Sequence, residues 1–252
     1  MSMWNSIAAR LVAGAAFAAA LVSQAAAEVD KRVALVIGNG AYKSVTALDN
    51  PVTDAKGVAA SLKRLGFTVI DGYDLSTGEM RAKLAEFANA LPDSKAALVY
   101  YAGHGVSVDE ENYLIPTDLA LKSQTDLDLN AVSLTLILKQ MKRDELVYVV
   151  IIAACRDNPF AAELLRNARS RSSVAERGLS RVETDLAKGT LIAFATDPKS
   201  TALDGRPGEN SPFTRALLRH MEEPGISIDT VMNRVRADVW EATRQKQMPW
   251  VN

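Results

Sequence analysis

Cysteine occurs once in this sequence, at Cys155, and histidine twice, at His104 and His220. A thiol reacts as its thiolate, and a free thiol is mostly protonated at neutral pH, so a cysteine nucleophile needs an imidazole beside it. It also needs N–H groups aimed at the oxyanion that forms when it attacks a carbonyl, each costing about 3–4 kcal/mol when lost. His104 stands between two glycines in Tyr100-Tyr101-Ala102-Gly103-His104-Gly105, where small neighbours leave room for a substrate backbone. Cys155 follows 51 residues later, in Ala154-Cys155-Arg156-Asp157-Asn158-Pro159-Phe160. The backbone amides of Gly105 and Cys155 are the candidate oxyanion donors. A lone cysteine after an apolar strand is usually an inert core residue, and a glycine-flanked histidine can sit in a turn. The two together, each at a strand end, point to a catalytic pair. His220, in the helical run Phe213–Met221, has no such motif and reads as a surface or structural residue.

The elements that must position this pair follow from hydrophobic patterning. Val33–Ile37, Phe67–Ile70, Ala96–Tyr101, Val147–Ala153 and Thr190–Ala195 are short apolar runs that read as strands buried on both faces. Between them lie helical stretches. Asn50-Pro51 supplies a cap and first turn for a helix that Gly66 ends, and Ser76 with Glu79 has capping-box spacing for a helix that Pro92 stops. Ser133 to about Arg143 is helical by its apolar spacing, Val106–Ile115 reads as a hairpin, and Ser211-Pro212 opens the first of two C-terminal helices. Alternating strands and helices predict an α/β fold with a parallel sheet covered on both faces, whose ligand sites gather beyond the carboxyl ends of the strands. His104 and Cys155 are both expected just past such ends. Residues 167–188 carry Arg169, Arg171, Arg177, Arg181 and Lys188 among serines without an apolar stripe, and read as an exposed loop.

The two motifs resemble the histidine and cysteine motifs of bacterial caspase-like peptidases, relatives of the metacaspases and caspases. The 51-residue separation agrees with the caspase pattern of a histidine about 50 residues before the cysteine. The resemblance runs from about Lys31 to Val251. It takes in the segments Val33 to Tyr42, Asn50 to Ala55, Ile192 to Thr196, Ala202 to Gly205 and Asn210 to Phe213. It implies a caspase-like three-layer sandwich around a mainly parallel six-stranded sheet. It also implies a cysteine endopeptidase that works through a Cys155–His104 dyad and a thioester acyl-enzyme. One departure bears on specificity. Metacaspases carry an aspartate two residues before the catalytic cysteine, in the pocket for the Arg or Lys preceding the cut, and this chain has Ala153. Asp54 matches a second pocket acid of metacaspases, although an acid in a first helical turn is also favoured by the helix dipole. Asp157 and Asp204 are possible substitutes for the missing acid, but the sequence places neither in the pocket. The resemblance thus implies cleavage after basic residues, with an altered or small-residue preference as the alternative. Caspases are processed in the connection that corresponds to residues 167–188, and its basic residues would suit self-cleavage. Calcium activation occurs in some metacaspases; the scattered acids here point neither toward it nor against it, and no cofactor is otherwise implied. Family members often continue past the point at which this sequence stops.

Composition narrows the remaining classes. The 252 residues are 48% hydrophobic and 23% charged, ordinary values for a folded chain. Lysine plus arginine number 29 against 30 acids, a formal net charge of −1, which offers nucleic acid no basic footprint. A single cysteine excludes an intrachain disulfide and any multi-cysteine metal site. Residues 1–27 contain one charge, Arg10, the 12-residue apolar run Leu11–Val22 and an A-x-A signal at Ala25 and Ala27. That run is short of the ~20 residues needed to span a bilayer. The expectation is a signal peptide over 1–27, a peptidase domain over 28–252, and an exported protein, periplasmic or secreted, with no stable membrane anchor after cleavage. Its partners would be protein or peptide substrates. Two competing classes stand beside this one. The first is a catalytically silent caspase-like binding or scaffold protein. The second is a nucleotide-binding protein, which fails because Lys43 stands where the third glycine of Gly38-Asn39-Gly40-Ala41-Tyr42-Lys43 would belong.

Overall fold

The computed structural model describes residues 30–142, 146–155, 160, 179, 180, 182, 189–198, 200 and 202–251, with Cys155 through its backbone. Residues 31–252 form one compact unit. The expected signal peptide, Asp157 and most of the 167–188 segment lie outside the described residues.

The first apolar run becomes β1 (Arg32–Gly38), buried from Val33 to Gly38. Its side chains alternate between two cores: Val33, Leu35 and Ile37 join one, Ala34 and Val36 the other. Helix α1 (Pro51–Arg64) follows, then β2 (Thr68–Tyr73). Helix α2 (Thr77–Ala90) is opened by the Ser76–Glu79 capping box the spacing predicts. Strand β3 (Ala96–Val108) turns back through Asp109 and Glu110, both in the left-handed region, into β4 (Glu111–Leu114). A short helix, α3 (Gln124–Asn130), and the two-residue β5 (Val132–Ser133) precede α4 (Leu134–Met141), capped by Ser133. Strands β6 (Val147–Cys155) and β7 (Thr190–Phe194), helices α5 (Pro212–His220) and α6 (Ile228–Ala242), and β8 (Trp250–Val251) complete the described chain.

The main sheet has the order β2-β1-β3-β6-β7-β8, parallel except for β8, which runs antiparallel to β7. Strands β4 and β5 extend β3 as a small antiparallel annex. One core holds Met80, Leu84 and Phe87 of α2 with Ile137 and Met141 of α4. The other holds Val58 and Leu62 of α1, Phe213 and Leu217 of α5, and Val235 and Val239 of α6. The sheet is therefore the middle of three layers with helices on both faces, the expected α/β architecture. No helix among the described residues is long and apolar enough to cross a membrane.

Three expectations need correction. His104 and Cys155 are not past strand ends: β3 continues through Gly103 and His104 against β6, whose last residue is Cys155, and on from Gly105 against the annex strand β4. Asn50 does not cap α1 with its side chain. It donates instead to the carbonyls of Asp204 (2.7 Å) and Arg206 (2.9 Å) and accepts from the Gly208 N–H (2.8 Å), holding the loop between β7 and α5. The basic segment 167–188 is not wholly an exposed loop. Leu179 is buried in the α2–α4 core, and Ser180 bonds to Asn112 through both backbone groups and to Ser107 through its hydroxyl.

Candidate active site

The two central strands, β3 and β6, set His104 and Cys155 level with each other as the last register pair of their ladder. Neighbouring parallel strands lie about 5 Å apart, so residues from distant parts of the sequence become lateral neighbours. His104 is 4% exposed. Its Nε2 lies 2.8 Å from the Thr46 carbonyl. A carbonyl can only accept, so Nε2 carries the proton, and in the neutral ring Nδ1 carries the lone pair. The Tyr42 ring packs on the imidazole with centroids 4.5 Å apart and planes at 51°. The His104 backbone N–H donates to Tyr42 Oη at 2.7 Å.

Glycine is required at 103. Its φ is +150°, and a Cβ there would lie 2.6 Å from Tyr42 Oη, 2.7 Å from Tyr101 Oη and 2.9 Å from the Asn39 carbonyl. Gly105 is oriented by its neighbour. The His104 carbonyl accepts the Ile115 N–H on the β4 side, and backbone groups alternate edges along a strand. The Gly105 N–H therefore faces the β6 edge, the side on which Cys155 lies.

Two residues before the His104–Cys155 pair, on the α1–α5 face, Ala102 and Ala153 line a small enclosed cavity about the size of one water. Ala195 and Ala202 form more of its wall, and Asp54 and Asp204 are its two carboxylates. No lysine, arginine or histidine among the described residues lines it. Asp54 accepts the Ser211 N–H at 2.9 Å, which ties the first turn of α1 to the start of α5. Burial pushes its carboxyl up to about 6, against the opposing effect of its bonds to Ser211 and Thr214, and the charge of Asp204 adds to the rise. Burial also raises Asp204, which lies on the loop that Asn50 holds. Tyr100, beneath, bonds Thr214 Oγ1 at 2.7 Å, and burial together with the Asp54 charge holds its phenol well above the ordinary range. Gln247 closes the far side, accepting from Leu203 N–H and donating to the Ala195 carbonyl.

The structure thus brings together His104, Gly105, the backbone of Cys155, Asp54 and Ala153. His220 stands apart, its ring nitrogens 2.8 Å from Glu223 and 2.9 Å from Asp238, a structural tie between α5 and α6. The sequence offers Asp204 only as a possible substitute for the missing pocket acid, without placing it there, and gives no role to the Thr46 carbonyl or Tyr42. A backbone carbonyl leaves no residue-type signal at all, and Asp204 reaches the cavity from 150 residues beyond Asp54. Among the described residues no group of three or more His, Cys, Asp or Glu side chains could hold a metal ion.

A family model described as the caspase domain matches residues 31–252. Mucosa-associated lymphoid tissue lymphoma translocation protein 1 of Homo sapiens is 32% identical over 126 residues, half of this chain and 15% of that protein. Caspase-1 of Rattus norvegicus is 25% identical over 228 residues, 86% of this chain and 56% of that protein. Caspase-1-B of Xenopus laevis is 24% identical over 204 residues, 77% of this chain and 51% of that protein. The chain spans little more than half the length of the caspases it matches, and a smaller part of the first relative. The family match spans the whole compact unit, and the chain belongs to the caspase domain family of peptidases.

Proposed function

We propose that the protein is a cysteine endopeptidase with Cys155 as nucleophile, His104 as proton carrier and a preference for arginine or lysine before the cut. The register pairing of His104 with Cys155 carries this reading, because it sets the two groups level at the end of the central ladder. The Cys155 thiol loses its proton to His104 Nδ1, while the Thr46 carbonyl holds the other ring nitrogen and steadies the imidazolium. The thiolate attacks the scissile carbonyl, and the oxyanion takes hydrogen bonds from the Gly105 and Cys155 amides. As the C–N bond breaks, the imidazolium passes its proton to the leaving amine and a thioester remains. His104 then takes a proton from water, the hydroxide adds to the thioester, and Cys155 leaves with its proton restored.

The preference for a basic residue rests on the cavity. Two acidic residues line it without a cation among the described lining residues, and four alanines form its small-residue wall. A guanidinium entering there would meet charge-assisted partners in Asp54 and Asp204, and Ala153 would give room where metacaspases carry an acid. The loop carrying Asp204 must shift outward to admit such a side chain, because the cavity now holds only about one water. That closed state favours the second reading, a silent caspase-like scaffold.

One assay separates the two. Hydrolysis of a fluorogenic peptide library by the protein should be fastest for arginine- and lysine-terminated peptides and absent in Cys155→Ala. Equal rates in the two proteins overturn the peptidase reading. Residues 1–27 we take as a secretory signal peptide and the protein as exported, so the mature chain should begin at Glu28 by intact mass when it is produced in a secreting host.

A further inference from the structure

We propose that Tyr42 is a positioning residue for the Cys155–His104 pair, fixing the imidazole through its ring and the strand beneath it through its hydroxyl. The inference rests on the reading of those two residues as a working pair.

Three features converge on this side chain. Its ring lies against the imidazole at 4.5 Å, so rotation of His104 about χ2 is blocked on one side. Its hydroxyl accepts the His104 N–H at 2.7 Å and lies 3.2 Å from Tyr101 Oη. Tyr101 in turn donates toward the His104 and Ile115 carbonyls at 2.7 and 3.0 Å. The two hydroxyls therefore hold the His104 backbone, Tyr42 at its N–H and Tyr101 at its carbonyl, in the space that only Gly103 leaves open.

Tyr42 also opens the segment that reaches Thr46, whose carbonyl holds Nε2. That segment is built rigidly. Asp74 Oδ1 accepts the Gly40 and Ala41 N–H groups at 2.8 Å each, Lys43 N–H donates to the Thr117 carbonyl, and Leu48 N–H to the Gly40 carbonyl. One residue thus couples three restraints on the histidine: ring plane, backbone and the carbonyl beyond Nε2. Titratable groups around the pair are the Tyr42 and Tyr101 phenols, Cys155 at the facing register position, and Asp54 and Asp204 in the cavity that Ala102 and Gly103 also line.

An aromatic face near an imidazole stabilises the imidazolium over the neutral ring. The thiolate that accompanies it should therefore form at lower pH with Tyr42 present than without it. Since Cys155 is the only thiol in the chain, the pH dependence of its alkylation by iodoacetamide reads this directly and needs no peptide substrate. In Tyr42→Leu the inflection for thiolate formation should move up by about half a pH unit. In Tyr42→Phe it should stay in place, while kcat for peptide cleavage falls about tenfold at unchanged KM because the buried His104 N–H loses its acceptor. His104→Ala is the control. An inflection unmoved in Tyr42→Leu but moved in His104→Ala overturns the Tyr42 assignment and leaves the dyad standing. An inflection unmoved in His104→Ala overturns the dyad itself. Should Tyr42→Leu not fold, wild-type kcat in Tyr42→Phe rejects the hydroxyl's role, and a tenfold loss supports it.

Discussion

Asp54 is the residue at which stability and proposed function pull in opposite directions. Its carboxyl ordinarily titrates near 3.8 and is raised to about 6 in the fold, chiefly by burial. Below pH 4 the group is neutral in both folded and unfolded chains and costs nothing. Between 4 and 6 the unfolded chain ionises first, so folding stability falls as pH rises. Above 6 the loss is complete, on the order of 3 kcal/mol. Asp54→Asn keeps an oxygen for the Ser211 N–H and removes the charge. Its melting temperature should exceed wild type at pH 7.5 and equal it near pH 4, while cleavage after arginine weakens at least tenfold. A variant less stable than wild type at pH 7.5 would mean that a cation already balances this carboxylate. For the wild type, kcat/KM on arginine peptides should climb through about pH 6 as the carboxylate forms.

At the scale of elements, the strands and the helices beside them were readable because each carries a periodic apolar pattern that one face of the sheet satisfies. The capping box at Ser76 and the cap at Ser211 were readable because their chemistry is local. What patterning missed was decided by distant partners. Gly103-His104-Gly105 looks like a turn until β6 pairs with its first two residues and β4 with its last. β8 has two residues and exists only as a partner for β7, where Trp250 packs on Phe194 at 5.7 Å. Asn50 has the right type for a cap, yet its side chain serves a loop more than 150 residues away. The His104 and Cys155 motifs were legible as local residue patterns, whereas Asp204 of the cavity lies on a loop without periodicity. Asn50 is consequently a residue of the pocket's architecture. Asn50→Ala removes three bonds to the 204–208 loop and should lower stability by about 2–3 kcal/mol. It should also raise KM for basic peptides more than it lowers kcat, since the dyad strands are untouched. An equal loss in kcat would place the loop in the chemistry rather than in binding. Thermal melts and steady-state kinetics on one preparation supply both measurements.

Across the whole molecule, the site joins two parts held in different ways. The proposed catalytic pair belongs to β3 and β6, the middle of the sheet, where Val99, Tyr100, Val150 and Ile151 are at most 1% exposed and both faces are covered by helices. The pocket wall belongs to the stretch between β7 and α5, held by side chains of Asn50 and Gln247 and exposing Leu203 at 41%. Backbone amides in a covered central ladder open only with global unfolding, whereas a loop held by a few side-chain bonds opens at much lower free energy. Hydrogen exchange should therefore show the slowest amides in β1, β3 and β6 and fast exchange through 202–210. A covalent arginine-terminated peptidyl inhibitor should slow exchange in 202–210 severalfold and leave the central strands unchanged, since only the pocket wall has to reshape around the guanidinium. Slowed exchange confined to β3 and β6, with 202–210 unaffected, would mean that the substrate's basic group does not enter between Asp54 and Asp204, and the preference drawn from that cavity would have to be abandoned.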